Sequence, residues 1–330
     1  MKNNRLNVLK LTIVIAAVCS NIYPNSKLAQ TGFQFMSVGA DARAGAMAQA
    51  LTAAETNSSA MFFNPSGMAR MNEPFEVTFS QNNWIAGIKH NTFTLALRPS
   101  GGRYGVLGFS AMSVDYGEVQ GTQVWGNSKG YIDTEIIYPS ALLFGVGYAK
   151  TLSDKFAVGG QVKYAGQQLG RSLVSINDSL MIKDNVAFGT AFDFGTIYYT
   201  GFKSLAFGMS VRNFSNEIKY VRESFQLPLT FRIGISMDLF DIIDEEIKEH
   251  NLFIDLDAIH PRSYPEQLNV GLEYSWNTQL FIRLGYMFVS DEQHYSLGFG
   301  LRISVLTIDY AYTPYGVFDN VQRITLRFTL

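Results

Sequence analysis

Apolar and polar residues alternate along the last part of the chain, from Glu266 to Leu330. In residues 268–276 every second position is apolar, and the positions between are polar or glycine; the apolar set is Leu268, Val270, Leu272, Tyr274 and Trp276. Successive side chains of a strand point to opposite faces, so each such segment has one apolar and one polar face. The segments run for about nine to twelve residues, which is the length of a tilted strand that crosses a bilayer. The pattern predicts a transmembrane β-barrel.

The same alternation is found from Phe75 onward and predicts about fourteen strands, an even number as in bacterial barrels. The predicted strands cover residues 75–82, 91–98, 104–113, 140–151, 156–169, 186–199, 205–214, 229–240, 250–260, 266–277, 280–288, 294–303, 306–314 and 321–330.

The connections between these strands alternate in length. With the N-terminus on the periplasmic side, the periplasmic links are short, and the three longest connections all fall outside, including polar loops at 114–139 and 170–185. Short periplasmic turns and longer outer loops are typical of outer-membrane barrels. The exception is the acidic stretch 241–249, which is read either as a solvated turn or as a short helix that docks a periplasmic partner.

Residues 1–29 have the pattern of an export signal. A basic region with Lys2, Arg5 and Lys10 precedes an apolar run from Leu11 to Val18. Cleavage is predicted after Ala29, with Ser20 as the alternative, and Cys19 is the only cysteine. The mature chain would then begin with a segment, 30–71, that precedes a barrel domain at 72–330.

Composition agrees with this prediction. Charged residues make up 16% of the chain, below the quarter that is usual in soluble domains, and aromatic residues reach 14%. The net charge of −2 gives no indication of a nucleic-acid partner. A soluble secreted β-protein is disfavoured because its strands are shorter and it would expose these aromatic faces to water.

The segment 30–71 is rich in Ala, Gly and Met and lacks strand alternation before Ala60. A short helix is predicted within 40–54, and Asn64-Pro65-Ser66-Gly67 predicts a turn into the first strand. Two runs in this segment, GADARAGAMAQALTA and SSAMFFNPSGMARM, resemble the N-terminal signature of the PorV/PorQ family within the FadL-like outer-membrane proteins. The matching residues are Arg43, Ala44, Gly45, Met47, Phe63, Asn64, Pro65, Gly67 and Met68, whereas Ala48 and Ser66 depart from the pattern.

This resemblance implies an all-β fold: a transmembrane antiparallel barrel of about fourteen strands with a short helical N-terminal plug segment, in the outer membrane of a Gram-negative, Bacteroidetes-like cell. It also implies a non-enzymatic role as an accessory or cargo-handling component of type IX protein secretion, with secretion components or secreted cargo as partners. The alternative is FadL-like passive uptake of hydrophobic small molecules. That function requires an apolar pocket beside the plug, for which the candidates are Phe33, Phe35, Met36, Met61 and Phe62.

The inner face of the predicted barrel carries charges of both signs. These are Arg212, Arg232, Asp238, Asp255, Asp257, Glu273, Arg283, Arg302, Asp309, Arg323 and Arg327. Burial of one sign alone is costly, so pairing between neighbouring strands is one interpretation and a substrate path is the other. Aromatic residues near strand ends, among them Trp84, Tyr199 and Trp276, are typical of interfacial girdles.

No enzymatic motif is present: the chain has no Gly-x-Ser-x-Gly elbow, no phosphate-binding loop and no His-Glu-x-x-His. The four histidines, His90, His250, His260 and His294, are isolated in sequence and predict no metal site. We therefore expect a non-enzymatic protein without cofactors.

Overall fold

The computed structural model of the protein describes residues 31–39, 41–176, 179–220, 224–243, 249–290 and 292–330, and the predicted export signal lies outside them. Fourteen strands form one closed sheet in which every neighbouring pair is antiparallel. The first strand pairs with the last through Glu76 opposite Thr329, which closes the barrel. The predicted fold class and strand number are confirmed.

The strands are Phe75–Asn83 (β1), Lys89–Leu97 (β2), Val106–Asp115 (β3), Val119–Val124 (β4), Tyr131–Ile137 (β5), Ser140–Ser153 (β6), Phe156–Ile176 (β7), Ser179–Tyr199 (β8), Ala206–Phe214 (β9), Ile218–Lys219 (β10), Ser224–Phe225 (β11), Thr230–Asp238 (β12), His250–Pro261 (β13), Gln267–Trp276 (β14), Leu280–Met287 (β15), Tyr295–Ile303 (β16), Leu306–Tyr315 (β17) and Phe318–Thr329 (β18). All except β4, β5, β10 and β11 belong to the barrel.

The two ends of the barrel differ in their connections. At the short-turn end, tight turns such as 277–279 and 304–305 join neighbouring strands. At the long-loop end, the predicted loop 114–139 contains the separate hairpin β4–β5, and 215–228 contains β10–β11. The prediction of a loop at 170–185 is wrong, because β7 and β8 continue through most of this range as a paired hairpin. In the predicted acidic link, Phe240–Ile243 is a helical turn, and residues 244–248 lie outside the described part.

The outer surface of the barrel is apolar. Leu, Ile, Val and Phe side chains alternate along the strands with buried inward-facing residues, as in β18, where Ile324 and Leu326 are exposed and Arg323 and Thr325 are buried. This is the surface that a transmembrane barrel presents to lipid. Among the described residues, no helix has the length and apolar character needed to cross a membrane.

Two aromatic residues assigned to the interfacial girdle face the lumen instead. Trp84 packs against Tyr315, with ring centroids 4.9 Å apart, and lies near Arg323. Tyr199 stacks under Arg70 and donates its hydroxyl to Glu55. Sequence position near a strand end does not tell which face a side chain takes, and strand register decides it.

Residues 31–39 and 41–71, the described part of the N-terminal segment, lie inside the barrel. The segment forms a 3-10 helix at Gln34–Ser37, an α-helix at Ala42–Ala46 and two further 3-10 helices at Asn57–Phe62 and Pro65–Met68. The α-helix is shorter than predicted because Ala48 and Gln49 adopt positive φ and turn the chain away.

The N-terminal segment also begins at an unexpected end of the barrel. Gly32 donates its backbone N–H to Gln226 in the long-loop region, and the chain then runs through the lumen to β1, which starts at the short-turn end. Thr31 therefore lies at the long-loop end, opposite to the end at which β1 starts. The assignment of short and long ends still holds, since it depends only on where β1 starts.

Glycines line the lumen wall where the N-terminal segment comes close. A Cβ added at any of them would lie less than 3.0 Å from an atom of the segment. Real Cβ atoms do not approach so closely, so only glycine lets the segment pack against the wall. The set comprises Gly108, Gly147, Gly159, Gly195, Gly208, Gly234, Gly271, Gly285 and Gly298, on nine different strands.

We predict that Gly195→Val destabilises the barrel by about 1–3 kcal/mol or more, because the added methyl groups collide with the Asn64 amide. The temperature at which the folded band converts on a heat-modifiability gel measures this. Gly160→Val is the matched control: Gly160 is one strand away, and the nearest atom to its added Cβ is 3.4 Å distant. Equal effects of the two variants would contradict the close packing.

Candidate functional site

The turn motif of the N-terminal segment is a buried anchor. The amide of Asn64 donates to the carbonyls of Thr52 (2.7 Å) and Thr196 (3.2 Å), and its oxygen accepts from the Ser66 hydroxyl at 2.7 Å. Pro65 begins the following 3-10 helix, where its missing N–H costs nothing. Gly67 packs against the Ala54 carbonyl, and Phe63 is 1% exposed. All these contacts are within the protein, so the motif fixes the segment to the wall.

The first part of the motif is equally buried. Arg43 donates to both carboxylate oxygens of Glu273 on β14, each at 2.8 Å. Gly45 lies against the side chain of Arg323, and Met47 packs on Gly271. Asp41 caps the helix by accepting from the Ala44 N–H at 2.9 Å. These residues hold the helix at a fixed position in the lumen.

A network of charges connects this helix to the wall. Glu273 also accepts from Arg283 at 2.5 Å, and Arg283 reaches Asp309 on β17 at 2.6 Å. Arg327 lies 3.4 Å from Asp41 and 3.7 Å from Glu76. Every member is buried or nearly so, and the two signs alternate, which is the arrangement that offsets the cost of removing charges from water.

The remaining predicted lumen charges also face inward. Arg232 lies 3.9 Å from Asp257, which accepts from the Thr52 hydroxyl at 2.6 Å. Arg323 donates to the Gly39 carbonyl and to Thr313, both at 3.0 Å. Asp255 is buried opposite Ser236, Arg302 lines a cavity of about 160 Å³ at the short-turn end, and Arg212 is 5% exposed.

Sequence reasoning missed four charged residues of the lumen. Lys163 on β7 lies 2.7 Å from Asp193 on β8, and Glu76 accepts from the Ser58 N–H at 3.0 Å. Asp41 belongs to the N-terminal segment. The signal for Lys163 and Asp193 was present, since both occupy inward positions of alternating strands. Among the described residues, no group of three His, Cys, Asp or Glu side chains could hold a metal ion.

One side of the lumen wall is apolar. On β3, β6, β7 and β8, inward positions toward the long-loop end carry aliphatic or methionine side chains: Met112, Val114, Ala141, Leu143, Ala165, Ala187 and Ala191. We call this set the apolar wall. It contrasts with the charged wall formed by strands such as β14, β15 and β17, so the two halves of the lumen offer different chemistry.

Four rings cover the apolar wall at the long-loop end. We call Phe33, Phe35, Tyr220 and Phe225 the aromatic cluster. The centroid of Phe33 is 5.7 Å from that of Phe35 and 5.6 Å from that of Phe225, which stacks on Tyr220 at 5.3 Å. The Tyr220 hydroxyl donates to Gln167 at 2.9 Å, and burial raises the pKa of this phenol to about 12.

The structure brings four of the five candidate pocket residues together. Phe33, Phe35, Met36 and Phe62 belong to one hydrophobic cluster with the apolar wall. Met61 lies in a second cluster with Met68 and Met71, where it packs on Gly108 and Gly147. Met61 and Phe62 are consecutive residues of the 3-10 helix Asn57–Phe62, so their side chains point about 120° apart and enter different clusters.

The wall is irregular beside this region. Between Phe192↔Phe214 and Phe194↔Val211, one residue of β8 faces two residues of β9, Arg212 and Asn213, which is a β-bulge. Asn213 has φ of 61°, and both bulge residues are buried, so the in-out alternation breaks here.

The pairing of β8 with β9 ends one pair beyond the bulge, at Phe192↔Phe214. Within the described residues, β8 has no strand partner on this side between residues 179 and 191. Ala191 lies eight residues from Tyr199, or about 20 Å along the barrel axis, within an apolar band about 25 Å tall. Ile218 of β10 fills the opening by packing on Gly189. This is a lateral interruption of the backbone ladder at the edge of the apolar wall.

Comparison with solved structures finds similar barrels. The toluene transporter TbuX of Ralstonia pickettii has a TM-score of 0.62 and 14% identity, covering 88% of this chain and 98% of that one. The toluene transporter TodX of Pseudomonas putida has a TM-score of 0.58 and 11% identity (92% and 99%), and a FadL homologue of Pseudomonas aeruginosa has 0.52 and 12% (88% and 98%). At these identities the likeness shows the fold.

Comparison by sequence gives no relative. No protein-family description matches the chain, and no curated protein does.

We predict that Glu273→Gln destabilises the folded protein by about 3–5 kcal/mol, because it leaves Arg43 and Arg283 buried without their shared carboxylate. Urea unfolding in detergent micelles measures the change. Asp184→Asn is the control, since its pair with Arg171 is exposed on both sides and contributes less than about 1 kcal/mol. A loss for Glu273→Gln no larger than that of the control would show that the network is not structural.

Proposed function

We propose that this protein is an outer-membrane barrel that takes up a hydrophobic small molecule and releases it sideways through the wall. The observation that carries the proposal is the interrupted β8–β9 ladder at the edge of the apolar wall. Its location in the outer membrane is supported by the apolar outer surface and by the predicted export signal. The fold shared with TbuX, TodX and the FadL homologue supports the same class of function.

The proposed path starts at the aromatic cluster. An apolar molecule binds between the rings at the long-loop end, where Tyr220 and Phe225 are only partly buried. It then moves along the apolar wall, whose side chains leave no hydrogen-bonding group to desolvate. A straight path to the short-turn end is closed, because the N-terminal segment packs against nine wall glycines.

The exit in this proposal is the interruption filled by Ile218. Sheet edges that face lipid are avoided within the hydrocarbon region, since their backbone groups lack partners there. A break in the backbone ladder at this height therefore costs free energy, which favours a functional role for it. Displacement of the single Ile218 side chain from Gly189 would open a passage from the apolar wall to the bilayer.

We predict that a disulfide between Gly189→Cys and Ile218→Cys abolishes uptake of radiolabelled toluene by cells that carry the protein, and that a reductant restores uptake. The side chain of Ile218 occupies the position that a Cβ at residue 189 would take, and the only native cysteine, Cys19, lies in the predicted export signal. The measurement is the initial rate of uptake under oxidising and reducing conditions.

The control is a disulfide elsewhere in the wall. Ile282→Cys and Phe299→Cys face each other across β15 and β16, on the lipid side, and this bond leaves the interruption open. Equal toluene uptake by the Gly189→Cys/Ile218→Cys variant with its disulfide formed and with it reduced would refute lateral release.

A second candidate is an accessory role in type IX secretion. The N-terminal signature that resembles the PorV/PorQ family favours it, together with the hairpins β4–β5 and β7–β8, which project at the long-loop end and give a surface for emerging proteins. On this hypothesis the long-loop end contacts secretion components or cargo.

We expect, on this second hypothesis, that deletion of residues 119–137 blocks surface display of secreted cargo while toluene uptake continues. Surface proteolysis of cargo in intact cells is the measurement. Unchanged display in a strain that lacks the whole gene would eliminate the secretion role, and it would leave the uptake proposal untouched.

A further inference from the structure

A second cavity lies at the long-loop end, on the charged side of the lumen. Its volume is about 500 Å³, within the range of small-molecule sites. The 3-10 helix Gln34–Ser37 separates it from the aromatic cluster: Gln34 and Ser37 face this cavity, whereas Phe35 and Met36 face the apolar side. We call this cavity the vestibule.

The floor of the vestibule holds three buried polar side chains from the wall. Arg212 and Arg232 are each 5% exposed, and Asn269 is 1% exposed. Each is held by a carbonyl of the N-terminal segment. Arg212 donates to Met36 at 3.2 Å, Arg232 to Gln49 at 3.0 Å, and Asn269 to Ala48 at 2.6 Å.

These contacts leave hydrogen-bonding atoms without a partner. The Nε atoms of Arg212 and Arg232 donate to nothing, and the Oδ1 of Asn269 and the Oε1 of Gln49 accept from nothing. The Asn269 oxygen is assigned by the contact of its Nδ2 with Ala48. A buried polar atom without a partner is costly, so two unpaired donors and two unpaired acceptors around one cavity favour a ligand that carries both kinds of group.

The charge of the floor is positive. Among the described residues no carboxylate lies within 4.0 Å of Arg212, and the carboxylate 3.9 Å from Arg232, Asp257, already accepts from Thr52. Register places the two arginines on neighbouring strands, with Thr230 opposite Arg212 and Arg232 opposite Ser210. Like charges at this spacing repel, and an anion between them relieves the repulsion.

The sides of the vestibule are aromatic and amide-rich. Trp84 and Tyr315 pack edge to face with their centroids 4.9 Å apart, and Tyr264, Gln267 and Gln293 also line the sides. One carboxylate, that of Glu292, lines the cavity too, and it accepts from the Val317 N–H at 3.2 Å. Rings of this kind cover the carbon face of a ligand, and the carboxamides bind its hydroxyl groups. A pure hydrocarbon would leave all of these polar groups unpaired.

We propose that the vestibule binds a small carboxylated, hydroxyl-rich molecule of the sugar-acid class. Its carboxylate lies between the guanidinium groups of Arg212 and Arg232, its hydroxyls face Asn269 and Gln49, and its ring packs on Trp84. This site is separate from the hydrophobic path, and neither proposal depends on the other.

The test is titration calorimetry of the folded full-length protein in detergent with D-glucuronate, and with D-glucose as the neutral probe. We expect glucuronate to bind at least about tenfold more tightly than glucose, because charge-assisted hydrogen bonds form only with the carboxylate. Binding should also weaken between low and high salt.

Arg212→Gln is the informative variant, since Arg212 has no ion pair within 4.0 Å among the described residues and its loss leaves no carboxylate stranded. We expect it to weaken glucuronate binding about tenfold or more. Arg262→Gln is the control, because Arg262 is exposed at the same end of the barrel and changes the net charge equally. Unchanged heat modifiability shows that both variants fold.

Three results would overturn the proposal. The first is that glucuronate gives no heat of binding, in which case water occupies the floor of the vestibule. The second is that glucuronate and glucose bind equally tightly. The third is that the Arg212→Gln and Arg262→Gln variants bind glucuronate equally tightly. Benzoate that binds more tightly than glucuronate would overturn the hydroxyl-rich body of the ligand.

Discussion

The structure depends on hydrogen bonding of the N-terminal segment inside the barrel. A segment with little regular structure carries backbone groups that must find partners when they are buried. The lumen wall supplies them: Thr325 accepts from the Ala42 N–H at 2.8 Å, Ser296 donates to the Ala46 carbonyl at 2.9 Å, and Asp257 accepts from the Thr52 N–H at 3.1 Å. The wall glycines let the two backbones come this close. Many polar side chains of the lumen are therefore present because they bind the backbone of the N-terminal segment.

This requirement divides the lumen. Where the segment is anchored, charged side chains such as Glu273 and Arg283 form ion pairs with one another or with Arg43. Toward the long-loop end the segment consists of the 3-10 helix Gln34–Ser37. The wall on either side of this helix is available to ligands. The apolar wall lies on one side and the vestibule on the other. Our two proposals for ligands follow from this division.

One irregularity links the two sides. The bulge in β9 directly precedes the end of its pairing with β8, where the lateral interruption begins, and it turns two consecutive residues into the lumen. Asn213 accepts from Lys163 and donates its N–H to Asp193 at 2.7 Å, so the bulge is held by buried polar contacts. Arg212 is thereby placed on the floor of the vestibule. A bulge held in this way is a fixed feature of the wall.

The sequence by itself determined the barrel, because a strand that faces lipid on one side and a packed lumen on the other must alternate, as residues 268–276 do. It also determined the inward charges and the turn at Asn64, since both follow from residue type and period. Tertiary structure decided which charges pair, because Arg43 and Glu273 are 230 residues apart. It also decided the length of the helix at Ala42–Ala46, the lumenal position of Trp84 and the break beside β9. These depend on register and on contact between distant backbones, for which a local pattern carries no signal.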